Sequence, residues 1–154
     1  MEKKSENRNS HFRIVYILMA PLVMVVLTKS MFTVALPAIR STFSLPADTT
    51  AWMVTIYSLA FIAFTPLFGR LGDIVEKKTV LLIGITLFTF GTVTALLSKA
   101  VIVLVAARIF QGIGTAAVNP LSLAIINTRF PPESRGKALG TWNSIGPICF
   151  MLGP

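Results

Sequence analysis

Five blocks of apolar residues, spanning 14–39, 51–68, 79–98, 101–128 and 138–154, occupy most of this sequence. A helix needs roughly 20 residues, at about 1.5 Å rise each, to cross the hydrocarbon core of a bilayer. A soluble helix carries an apolar stripe with a polar back, whereas these blocks are apolar all round. Composition points the same way. Of 154 residues 54% are hydrophobic and only 13% charged, against about 25% charged in ordinary soluble domains. The expectation is an all-α membrane protein with a short tail, residues 1–13, before the first span. Lys29 alone interrupts the first block, and the second runs without charge into Gly69–Asp73, which reads as a turn. Only Lys99 and Ala100 separate the third and fourth blocks, which makes those helices antiparallel neighbours. The fifth begins at Ala138 and reaches Pro154 with no closing polar flank, as a truncated span would.

Lys and Arg number 14 against six acids, but the charges fall mainly between the apolar blocks. Basic residues at membrane edges orient a chain; they do not build a nucleic-acid surface. Alternating the blocks across a bilayer gathers Lys3, Lys4, Arg8, Arg13, Arg70, Lys77, Lys78, Arg129, Arg135 and Lys137 on one side. Arg40 and Lys99 are left on the other. The positive-inside rule then makes the N-terminus cytoplasmic. The first block is longer than the roughly 7–15 apolar residues of a signal peptide and lacks a small-residue cleavage pattern, so a retained span is expected. Soluble chemistry has no domain to occupy, the lone histidine, His11, lies in the tail, and no Ser/His/Asp set or paired carboxylates occur. Cys149, the single cysteine, fits a small buried apolar role and no metal site. Neither a metal nor a cofactor is expected.

Lys29 and Arg108 are ionisable groups inside apolar blocks, each costing about 2.5–3.5 kcal/mol at mid-helix. Lys29 lies ten residues from Ile39 and Arg108 seven from Val101, or about 15 and 10 Å from the outer ends. Each either faces a wet cavity or snorkels outward. Gln111 and Gly112 share a helix face with Arg108, and Thr33 shares one with Lys29, which Thr28 and Ser30 flank. No Asp or Glu lies in any of the five blocks. In a common cavity two uncompensated positive charges would repel any further cation. Gly112, Gly114, Ala116 and Ala117 form a small-residue run suited to close helix packing. Gly140, Gly146-Pro147 and Gly153-Pro154 repeat a loosening unit along one side of the fifth block, suited to a bend or a close contact.

GRLGDIVEKK, from Gly69 to Lys78, resembles the loop signature between the second and third helices of major facilitator transporters. Gly69, Asp73, Lys77 and Lys78 match; Ile74 and Glu76 stand where a basic residue and a glycine are usual. LVAARIFQGIGTAA, from Leu104 to Ala117, resembles the fourth-helix motif more fully, with Arg108, Gln111, Gly112 and Gly114 in place. VALPAI at 34–39 and AWMVTIYSLA at 51–60 are similar to the first two helices of the fourteen-helix drug:proton antiporter branch. PPESRGKALGTW at 131–142 resembles the loop into its fifth helix. The Gly-Pro of the antiporter motif falls on Gly153-Pro154. Thr28 takes the place of an acid usual in the first helix.

The resemblance implies a partial N-terminal half of the fold, five helices of six, in a multi-pass protein of the cell membrane. It further implies alternating access about a midplane site, with Arg108 and Gln111 in proton coupling and Gly69, Asp73, Lys77 and Lys78 in an inner gate. Lys29, Thr28 and Thr33 are expected near the substrate, and Gly112, Gly114, Gly146, Pro147, Gly153 and Pro154 in packing or the antiporter motif. The partners expected are the lipid bilayer, protons and, for a longer transporter, a small-molecule substrate. The alternative is a truncated or small helical membrane protein with a structural or regulatory role. Topology is directly measurable in a Cys149→Ser background. Impermeant thiol reagents added outside should label Ser41→Cys and spare Ser134→Cys; the reverse pattern refutes a cytoplasmic N-terminus.

Overall fold

The computed structural model describes residues 2–152, and the side chains of residues 15–46 and 48–151. Five α-helices make up the described chain: α1 (Glu2–Thr42), α2 (Ala47–Ile74), α3 (Lys77–Leu96), α4 (Val101–Arg129) and α5 (Pro132–Leu152). The first four are long and apolar enough to cross a membrane. α4 lies at the centre, packed on α3 and α2, while α5 packs chiefly on α1. Burial follows from that placement. Over half of the α4 span is enclosed, whereas α2 and α3 turn Leu59, Ile62, Leu82, Phe90 and Val93 outward. An exposed apolar rim is what lipid requires of a spanning bundle.

Between lipid-soaked helices there is little hydrophobic drive, so association depends on close contact of small residues. Here the glycines supply it. A Cβ at Gly114 would fall 2.5 Å from the Phe88 nitrogen and 2.6 Å from the Gly84 oxygen, both on α3. One at Gly91 would fall 2.8 Å from the Ala107 oxygen, and one at Gly84 would overlap the Ala117 Cβ. Gly112 faces the other way, with the Tyr57 oxygen 2.5 Å and the Ala60 Cβ 2.8 Å from its Cβ position. Gly112 thus seats α4 on α2, and Gly114 seats it on α3. Phe90 and Phe110 close the α3–α4 seam edge to face, their ring centroids 5.3 Å apart, a favoured aromatic geometry.

Several expected boundaries shift. Gly69–Asp73 is helical, not a turn; α2 continues to Ile74 and the break comes at Val75–Glu76. The glycine there serves contact instead of reversal, since Gly72 lies against Leu121 while Gly69 has open space around it. The 129–137 segment is also mostly helix, because α5 starts at Pro132, six residues before Ala138. Proline suits a first helical position and Glu133 suits the positive end of the dipole. α3 ends at Leu96, so four residues make the turn into α4. α1 begins at Glu2, within the stretch taken for a tail, and runs past Ile39 to Thr42. It closes with Ser44 at φ 50° and Leu45 N–H donating to the Arg40 carbonyl at 3.0 Å. That is a Schellman ending with serine in the place glycine usually takes.

Gly114→Ala should lower stability by about 1–3 kcal/mol, because the intruding atoms on α3 are backbone and cannot turn aside. Gly140, with nothing near its Cβ position, should accept alanine with a gain of up to about 1 kcal/mol from helix propensity. Thermal unfolding of the two variants in detergent checks the contrast.

Candidate functional site

The central question for a polar residue in lipid is what satisfies it. Along α4 the polar positions Arg108, Gln111, Thr115, Asn119 and Ser122 recur at three- and four-residue steps, which places them on one side of the helix. Gln111 is buried and donates from Nε2 to the Thr92 hydroxyl of α3 at 3.2 Å. Thr92 passes its own proton to the Phe88 carbonyl at 2.9 Å. Thr115 mirrors this arrangement toward α2: Tyr57 donates to its hydroxyl at 3.1 Å, and Thr115 donates to the Gln111 carbonyl at 2.8 Å. α4 is thereby pinned to both neighbours by one hydroxyl each. Tyr57, Thr92 and Thr115 were not singled out in the sequence, although the α4 periodicity beyond Gln111 was there to be followed.

Arg108 is 4% exposed, and its guanidinium carbon stands 3.0 Å from the centroid of the Phe32 ring on α1. A desolvated guanidinium over an aromatic face gains about 2 kcal/mol. Its Nε has no hydrogen-bond partner among the described residues. The wet-cavity alternative is not what this geometry shows: Arg108 lies between helices and does not line any of the hollows described below. Phe32 is three residues from Lys29 on α1, so the two cations do lie at similar depth.

Lys29 opens into a different space. A hollow of about 500 Å³ is bounded by α1, α2, α4 and α5, with Lys29, Tyr57, Ser58, Thr115 and Asn119 supplying its polar groups. Gly146 and Pro147 form part of the α5 wall, and Gly146 has no neighbour near its Cβ position. No close helix contact of the kind considered for the α5 glycines therefore occurs at Gly140 or Gly146. Gly153 and Pro154 lie outside the described residues. Thr33 lines a separate hollow of about 620 Å³ with Arg40 and Ser41 near the α1–α2 turn. Its hydroxyl donates to the Lys29 carbonyl at 3.0 Å. Thr28, half-buried, is in the lining of neither. At the opposite end, Asp73, Lys77, Lys78 and Arg129 edge a hollow of about 630 Å³ between α1, the end of α2, α3 and α4. Gly72 lines that hollow, and Gly69 does not.

Four helices long and apolar enough to cross a membrane define a multi-pass membrane protein. The family model described as Major Facilitator Superfamily matches residues 15–154. The chain belongs to that superfamily. It is 36% identical over 134 residues to the multidrug resistance protein Stp of Mycobacterium tuberculosis, covering 86% of this chain and 25% of that protein. It is 32% identical over 125 residues to the riboflavin transporter RibZ of Clostridioides difficile, covering 81% and 27%. It is similar too to multidrug resistance protein 3 of Bacillus subtilis, at 34% over 107 residues, covering 70% and 21%. The chain thus spans about a quarter of the length of these relatives.

If the Phe32 ring holds Arg108, Phe32→Leu should destabilise the fold by about 1–2 kcal/mol through loss of the aromatic face, with apolar bulk retained. A double-mutant cycle with Arg108→Met, read by denaturation in mixed micelles, should show coupling of at least about 1 kcal/mol. Strict additivity refutes the contact.

Proposed function

We propose that the chain forms part of a proton-coupled secondary transporter that exports small molecules. The single observation that carries this reading is the cavity bounded by α1, α2, α4 and α5. Its walls are mainly apolar, a few polar groups converge on it, and its size suits a drug-sized molecule. The names of the relatives, two multidrug resistance proteins and a riboflavin transporter, support a small-molecule substrate. Arg108 and Gln111 are the proposed coupling residues. A buried guanidinium with no carboxylate in the same apolar stretches is a charge whose stability depends on its surroundings, which is what coupling to protonation elsewhere requires.

Asp73, Lys77 and Lys78 sit at the α2–α3 turn, where a gate formed against the other half of the transporter would act; Gly69 lies one turn earlier on α2. The basic residues at that end, Arg70, Lys77, Lys78, Arg129, Arg135 and Lys137, support its reading as the cytoplasmic face of the cell membrane by the positive-inside rule. In alternating access the midplane cavity is exposed to one side and then the other as two halves rock.

The full-length protein, reconstituted in vesicles with an imposed pH gradient, should drive transport from a panel of fluorescent substrates. Arg108→Ala should reduce gradient-dependent flux at least about tenfold, about 1.4 kcal/mol at the rate-limiting barrier. Residues 1–154 alone should show none. Robust flux by residues 1–154, or an Arg108→Ala protein that folds and keeps its gradient dependence, contradicts the proposal.

A further inference from the structure

The cavity beside Lys29 carries more chemical information than its size, because most of its donors are already committed. Tyr57 gives its proton to Thr115, Thr115 to the Gln111 carbonyl, and Ser58 to the Val54 carbonyl at 3.3 Å. Among the described residues Lys29 is the one cation in the lining, and no carboxylate lines the cavity. Across from it on α4, Asn119 lines the cavity with its Oδ1 enclosed and out of reach of a bound molecule. Arg108 contributes no second charge here, since it lies against Phe32. Leu22, Val25, Val26, Phe61 and Phe150 make the remaining wall apolar.

From this complement we infer that the cavity selects amphipathic organic monoanions, with Lys29 taking the anionic group. The recognition answers the one charge that the cavity lining leaves uncompensated, and a charge-assisted hydrogen bond favours a ligand that can pair with it over one that cannot. A dianion leaves one charge uncompensated in an apolar site. A quaternary ammonium ion meets a like charge at Lys29. The inference rests on the transport reading above and assigns the substrate class of the same cavity.

Three probes of one shape isolate the charge: a hydroxynaphthalene sulfonate, the parent naphthalene sulfonate, and a naphthyl trimethylammonium. Both sulfonates should bind purified full-length protein roughly tenfold more tightly than the ammonium. Lys29→Met should abolish the preference of sulfonate over ammonium, and Lys29→Arg should keep it, which separates charge loss from misfolding. A native protein that binds none of the probes, or binds the ammonium at least as tightly as the sulfonates, overturns the inference. So does a folded Lys29→Met protein with its anion preference unchanged. Gradient-driven flux of the same probes is read separately: anion-selective binding without flux defeats the transport proposal alone, and flux that prefers the ammonium defeats this inference alone.

Discussion

Gly114 and Gly84 face each other across α3 and α4 so closely that neither position has room for a single methyl group. In water such contact would supplement hydrophobic burial; in lipid it substitutes for it, since the bilayer solvates leucine as well as another helix does. The rest of the bundle is arranged around this seam. With Gly91 against the Ala107 backbone and Gly112 against the Tyr57 carbonyl, α4 is fixed between two partners at backbone distance. Only then can Gln111 reach Thr92, and Tyr57 reach Thr115, without long side chains bridging the gap. The hydrogen bonds follow from the packing, because a helix held one methyl further away would leave those groups in hydrocarbon without partners.

How much of this could be read in the sequence depended on the range of the signal. Spans were legible because burial in lipid is a property of whole segments, and twenty apolar residues advertise themselves. Helix ends were less so. GRLGD looks like a turn because glycine and aspartate are turn formers in water, yet in the folded chain Gly72 is spent on contact with Leu121 and the helix runs on. The fifth helix began early for a related reason: Pro131 and Pro132 look like breakers, while a proline at the first helical position starts a helix.

The site was legible as a list of residue types, less so as an arrangement. Lys29, Thr28 and Thr33 are neighbours on α1, but one helical turn is enough to put Thr33 in another hollow with Arg40. Phe32, three residues from Lys29, was invisible as a partner of Arg108 because the contact joins α1 to α4, and no local pattern encodes which aromatic ring a distant guanidinium will meet. Gly84 and Gly91 carried a readable seven-residue spacing. What it lacked was a partner, since the spacing names a helix face and not what covers it.

The separation of Arg108 from Lys29 bears on how one bundle could serve two tasks. Equal depth would let two cations in a common cavity act on the same substrate, and any change in one would alter the other through a repulsion of several kcal/mol at about 4 Å with an effective dielectric near 20. The fold instead places the face of Phe32 against the guanidinium and leaves the ammonium to the cavity. On the proposed transport reading, the charge that responds to protonation is then shielded from substrate charge, and influence between them passes through the packing of α1 on α4. That route is mechanical. A motion that slides α1 along α4 changes the overlap of Phe32 with Arg108 and, in the same step, the wall that presents Lys29, which couples the two groups with no direct contact between them.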